Sequence, residues 1–324
     1  MARTSQLWEK RKGDRRIAEN ADETEFAALQ RGISNLDAGI RDDIISGEME
    51  DFVAPFEVDR WAEDDLRLDE SHIPLAEEIL RRKKLLGDLY PFEEENNWLT
   101  YRPRKNSSLI YEFCLAVSCA QSLTKGKAAY LPRTFERLAL VATKKYIGKG
   151  AWGIRTGWPW DKSHQATSFR DIVNIINHRT NEWLWQPPHD FPDNPSPQYV
   201  KDLGMDFVVA KSFADQRRGQ IFLVGQCACG NDWESKLYDL NASAISNWFR
   251  APVSVVPFVR VFATPRHIAN DAHFYEVGTK AGLTLDRVRI VQIMETESVK
   301  KIRHRVKDLI GVVITGFQAD EPIS

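Results

Sequence analysis

The sequence predicts an α/β protein: a mixed sheet flanked by helices, preceded by a mostly helical N-terminal region. Three observations carry this. From residue 131 onward, apolar runs of strand length alternate with segments of helical periodicity, the pattern of a sheet covered on both faces. Before residue 127 the apolar residues recur at helical spacing, as in Phe26, Leu29, Ile33, Leu36 and Ile40. A chain of 324 residues with 43% hydrophobic residues and ten tryptophans is long and apolar enough for two domains with real cores.

The expected organisation is a flexible basic arm over 1–20 (Arg3, Lys10, Arg11, Lys12, Arg15, Arg16), a helical region over 21–126, and the sheet domain over 127–324. The formal net charge of −2 gives no global basic field, so a nucleic-acid surface has to be local. Residues 37–78 are acidic and are expected to dock a protein partner that controls the domain behind them. No apolar run has the length of a membrane span and the N-terminus has no apolar signal core, so a cytoplasmic protein without membrane contact is expected. Four cysteines within apolar segments fit reduced thiols. Homo-oligomerisation stays open.

In order, the chain reads as a helix or helical pair from Glu23 to Ile45, another helix from Pro74 to Leu86 ended by Gly87, a stiff aromatic turn Leu89-Tyr90-Pro91-Phe92, and an apolar helix Leu109 to Leu123. Pro132 suits the first turn of the next helix, whose stripe is Phe135, Leu138, Ala142 and Lys145. Glu136 lies just off that stripe, and Gly148 to Gly153 stops the helix. The turn Trp158-Pro159-Trp160, a helix from Phe169 to Trp185 and a proline-rich linker, Gln186 to Pro197, follow. Two apolar runs, Met205 to Ala210 and Ile221 to Ala228, fold back around a polar loop. A helix starting at Asn231 or Asp232 and carrying Trp233, Leu237, Leu240, Ala244 and Trp248 comes next. Then come a strand from Val253 to Ala263, a surface helix over 267–281, a buried strand from Leu285 to Met294, and a basic helix from Val299 to Leu309.

The hairpin carries the chemistry. Asp206 heads the first run and Gln226 sits inside the second, and a polar group within a core strand costs free energy unless it is used. A fold-back between Asp215 and Gln216 sets Asp206 opposite Gly225 or Gln226, though one slip in register would reverse the face. Lys236, a turn into the following helix, can swing its stem toward the strand end. Oxygen ligands on adjacent strands, a helix glutamate upstream and a nearby lysine suit a hard divalent cation, Mg2+ or Mn2+. Such an ion polarises a phosphodiester and activates water, while the lysine orients the water or steadies developing charge.

In this order of elements the chain resembles the PD-(D/E)XK nuclease superfamily, over residues 131 to 294. Glu136 in Arg133-Thr134-Phe135-Glu136 matches the helix glutamate, and Asp206 in Leu203-Gly204-Met205-Asp206 matches the metal-binding aspartate. Gln226-Cys227-Ala228 occupies the acid-x-lysine slot, and the run from Gly225 to Trp233 is similar to bacterial restriction-like proteins of phage defence. The resemblance implies a restriction-endonuclease-like fold and Mg2+-dependent endonuclease activity on DNA rather than RNA. It makes Asp206, the Gln226 carbonyl and Glu136 the metal ligands and Lys236 the residue that positions the nucleophile. Gln226 departs from the usual carboxylate and Ala228 from the usual lysine; Lys236 is the first substitute, ahead of Lys211 and Lys201. The alternative is a catalytically inactive nuclease-fold subunit that binds DNA or acts as a scaffold in a defence complex.

Other chemistries lack their motifs. The spacing of Cys227 and Cys229, with Cys114 and Cys119, matches no common zinc box, and two cysteines two apart on a strand simply share a face. The sequence has no serine elbow, P-loop or dinucleotide fingerprint.

Overall fold

A computed structural model describes residues 2–36, 60–105, 107–187, 200–215, 217–294 and 300–316. The chain divides into two compact units: Met1–Ala128 with Arg266–Phe274 and Arg287–Ser324, and Ala129–Pro265 with Tyr275–Asp286.

The first unit contains α1 (Ala2–Arg31), β1 (Ile33–Asn35), α2 (Arg60–Leu86), β2 (Phe92–Glu95), β3 (Trp98–Tyr101) and α3 (Ile110–Ser118). Two helices from the far end of the chain, α8 (Arg287–Met294) and α9 (Lys300–Gly316), belong to it as well. Every residue of α3 is buried. Charged side chains are buried beside this apolar core. Arg82 of α2 reaches Asp22 at 2.7 Å, Glu25 at 3.0 Å and Glu78 at 2.8 Å. Arg287 of α8 grips both oxygens of Asp22, at 2.8 and 2.6 Å. Tyr90 and Tyr111 donate their hydroxyls to the two oxygens of Glu25, at 2.6 and 2.7 Å. Buried charges persist only when paired and hydrogen-bonded in this way.

In the second unit a five-stranded mixed sheet runs in the order β4-β5-β6-β7-β8: β4 (Ala151–Arg155), β5 (Phe207–Lys211), β6 (Ile221–Cys227), β7 (Val259–Ala263) and β8 (Leu283–Leu285). β5 runs antiparallel to both β4 and β6, whereas β7 joins β6 and β8 joins β7 in parallel. Strand periodicity divides the side chains between two covered faces. Val208, Ala210, Phe222 and Val224 pack with Ile172, Val173 and Ile176 of α5 (Phe169–Thr180) and with Trp183, a fully buried indole. The opposite face meets α4 (Tyr130–Ile147), which buries Phe135, Leu138, Ala139 and Ala142. A serine capping box with Asp171 starts α5. The β5–β6 connection is tied down by Glu182, whose Oε1 accepts from the N–H groups of Gly219 (2.9 Å) and Gln220 (3.1 Å) and whose Oε2 accepts from Val255 (2.6 Å).

The hairpin and α4 lie close to where the sequence places them; α2 begins at Arg60 rather than Pro74, which lies inside it, and α3 and α5 end at Ser118 and Thr180, short of Leu123 and Trp185. Several expectations change. The basic arm expected over 1–20 is part of α1, and the helix expected from Glu23 to Ile45 ends at Arg31. The chain then enters β1, which pairs with β3 to complete a three-stranded antiparallel sheet, order β1-β3-β2. Strand pairing overrides the helical spacing of Ile33 and Leu36 there. The strand expected from Leu285 to Met294 is the end of β8 followed by α8: Arg287, Val291 and Met294 are buried at helical spacing, and eight residues cannot separate the two periods by pattern alone. The helix expected from residue 231 is a 3₁₀ turn, Trp233–Tyr238, followed by the short α6 (Ala242–Ser246) capped by Asn241. The strand from Val253 shortens to β7, and the surface helix expected over 267–281 is α7 (Asp271–Ala281). β4 was not anticipated, because the glycines from Gly148 to Gly153 read as loop; at Gly153 a Cβ would meet Leu140 Cδ1 at 2.6 Å, so glycine lets α4 sit close on the strand without that side chain shifting. Residues 37–59, most of the acidic segment, and 188–199, most of the proline-rich linker, lie outside the described residues.

Candidate active site

Asp206 immediately precedes β5, where the regular ladder breaks. Its N–H donates to Gly225 O (2.8 Å), and its own carbonyl accepts from Thr156 (2.8 Å) and Gly157 (3.1 Å), just past the end of β4. Its side chain takes over a ladder position: Oδ2 accepts the N–H of Cys227 at 2.6 Å. Oδ1 is thereby left on the side of Gly157. From the other direction α4 delivers Glu136. A Cβ on Gly157 would lie 2.9 Å from Glu136 Oε2 and 3.1 Å from Asp206 Oδ1. The two carboxylate oxygens therefore converge on one point and are within about 6 Å of each other. Any side chain at 157 would fill that space.

Arg155, 1% exposed, organises the surrounding turn. Its guanidinium donates to Gly157 O at 2.7 Å and to Pro159 O at 3.0 Å. Its Nε lies 2.7 Å from Glu136 Oε2, a buried ion pair. A carboxylate oxygen has a second lone pair beyond one such contact. Asp202 completes the frame, accepting from Gly204 N at 3.0 Å and from Trp158 N at 3.3 Å.

Electrostatics follow from this crowding. Burial pushes the Asp206 carboxyl up to about 8, and the charges of Glu136 and then Asp202 add to it, against the Cys227 N–H and Lys236. Burial also raises Glu136, opposed by Arg155 and Arg137. Two carboxylates in one desolvated place share a proton or take up a cation.

Of the four residues singled out by the sequence, Glu136 and Asp206 meet directly. Lys236, half-buried in the 3₁₀ turn, is near enough for its charge to act on the Asp206 carboxyl. Gln226 is buried and turns its amide to Asp239 Oδ2, at 3.3 Å. Ala228 is buried and its N–H pairs with Ala263 O at 2.9 Å. Arg155, Gly157 and Asp202 were not anticipated. The dense run Gly153-Ile154-Arg155-Thr156-Gly157-Trp158 held the only signal, since glycines flanking an arginine beside aromatic residues mark a place where backbone must come close.

Among the described residues, no group of three or more His, Cys, Asp or Glu side chains is gathered to hold a metal ion. The donors on offer are two carboxylate oxygens, a set that fits Mg2+ with water and substrate oxygens completing its shell. Among the described residues no helix is long and apolar enough to cross a membrane. Comparisons with protein-family models, with curated proteins and with solved structures gave no match.

Proposed function

We propose that this chain is a metal-dependent nuclease with a restriction-endonuclease-like second unit, hydrolysing phosphodiester bonds of DNA in bacterial anti-phage defence. One observation carries the reading: Glu136 and Asp206 converge from separate elements on the space beside Gly157. The order of glutamate helix, acid-bearing hairpin, helical turn and parallel strand agrees with that superfamily's pattern. Asp206 and Glu136 would hold a divalent cation, which would supply Lewis acidity toward the phosphate and a more acidic water.

The chain's own residues do the rest. Cys227 N–H fixes the rotamer of Asp206, so Oδ1 is presented without reorganisation. Arg155 holds Glu136 in place and keeps the turn after β4 rigid. Lys236 orients the attacking water or stabilises the negative charge that develops on phosphate. Gln226 contributes through its carbonyl once its amide is anchored on Asp239.

A second reading has its own observation. Ala228 leaves the usual lysine slot empty of charge, and Arg155 already neutralises part of Glu136; both favour an inactive nuclease-fold subunit that binds DNA or scaffolds a defence complex. Plasmid nicking in Mg2+ and in Mn2+ separates the two. Cleavage by the wild type, lost in Asp206→Ala and reduced in Lys236→Ala, supports the nuclease. Absence of metal-dependent cleavage by the wild type would sink it in favour of the second reading.

A further inference from the structure

Trp158 follows Gly157 directly, about 3.8 Å along the backbone from the residue beside which the carboxylates converge. It is 51% exposed. Two residues on, Trp160 packs against the core of the same unit, so one loop sends one indole inward and the other out. The loop that presents Trp158 is unusually well fixed for a surface turn. Arg155 donates to the carbonyls on either side of it, Gly157 and Pro159, from a buried position. The Trp158 N–H donates to Asp202 Oδ2. Thr156 and Gly157 are both bonded to the Asp206 carbonyl. Lys201 sets its ammonium 4.6 Å from the centre of the Trp158 ring. Exposed tryptophan costs free energy in water, and a backbone pinned by so many partners gives it little freedom to fold away.

We infer that Trp158, with Lys201, is a substrate-positioning platform on which an unpaired nucleobase stacks beside the carboxylate pair, so that the ligand of this site is single-stranded or frayed DNA. The identity of the ligand rests on the nuclease reading; the platform itself rests on the loop geometry. A rigid exposed indole offers a π-face that any base can use, and a neighbouring cation meets the backbone phosphate. Bases inside a duplex are already stacked on both faces and have none to offer. Trp158 is thus a positioning residue: it holds a nucleotide in register while the carboxylates act on the adjoining phosphate.

The test is binding of the full-length protein to fluorescein-labelled oligothymidylate and to a blunt duplex, by anisotropy in EDTA, so that cleavage plays no part. Trp158→Ala is expected to weaken the single strand about tenfold and the duplex little, with Trp158→Phe in between. Lys201→Ala should weaken both and lower the salt slope by about one. For Trp158→Ala, equal loss on both DNAs or no loss on either would overturn the platform, as would no single-strand binding by the wild type. The expected binding pattern in a protein that cuts nothing would uphold it while refuting the nuclease reading.

Discussion

Replacing Asp206 by asparagine should stabilise the metal-free protein. The folded carboxyl is held up to about 8 by burial and by Glu136, against an ordinary value of 3.8. Between those values the folded chain keeps a proton that the unfolded chain has released. Stability therefore falls as pH rises through that window and is retained on its acid side. One proton of difference corresponds to about 1.4 kcal/mol per pH unit. Asp206 keeps partial exposure and shares its proton with Glu136, which discounts the sum to about 2–3 kcal/mol by pH 8. Asparagine keeps an oxygen for the Cys227 N–H and removes the charge that burial and Glu136 disfavour. Seven of the ten tryptophans lie in the second unit, so intrinsic fluorescence reports its unfolding. In urea and EDTA, wild type should lose stability between pH 5 and pH 8 relative to Asp206→Asn. Mg2+ at a hundredfold excess over its Kd should then return about 2.7 kcal/mol to the wild type at pH 8 and nothing to the variant. Parallel pH profiles for the two proteins would refute the assignment of a shared proton to this carboxylate pair.

Three further outcomes can be measured. Gly157→Ala puts a methyl group where both carboxylate oxygens point, at 2.9 and 3.1 Å, so Mg2+-induced stabilisation should vanish while far-ultraviolet circular dichroism is unchanged. Arg287→Met leaves Asp22 short of its bidentate partner in a buried site and should cost about 3–5 kcal/mol, read as a lower urea midpoint. Against its burial, Arg287 and then Arg82 hold the Asp22 carboxyl far below its usual range; the stability this gives is present above about 4 and should be lost in acid titration below it. Burial lifts the Glu112 carboxyl to about 7, so Glu112→Gln, which keeps the bond from the Tyr101 hydroxyl, should add about 2 kcal/mol above pH 7 and little at pH 5.

The parts of this protein that were legible in its sequence are those whose signal is local. The β5–β6 hairpin announced itself through two apolar runs around a polar loop, and α4 through an amphipathic stripe closed by glycine. Asp206 stood out because an acid at the head of Phe-Val-Val has few structural uses. What escaped depends on partners far away in the chain. β4 needs Leu140 above Gly153 before its glycines make sense, and β1 needs β3. Arg155 looks like an ordinary strand-end cation until the carbonyls of Gly157 and Pro159 close around it. The face of Gln226 could not be fixed because a register slip reverses it, and the ladder does break at Asp206.

The buried network of Asp22, Glu25, Arg82 and Arg287 also orders events during synthesis. Its acids and Arg82 leave the ribosome early, whereas Arg287 follows only after the whole of Ala129–Pro265 has been made. At ~5–20 residues per second that interval is about 10–40 s. Until then Asp22, Glu25 and Glu78 have only the Arg82 guanidinium of this network to share. The second unit, continuous except for Tyr275–Asp286, is nearly finished by that time. The first unit thus completes its buried ion pairs only after the chain of the second unit has been made.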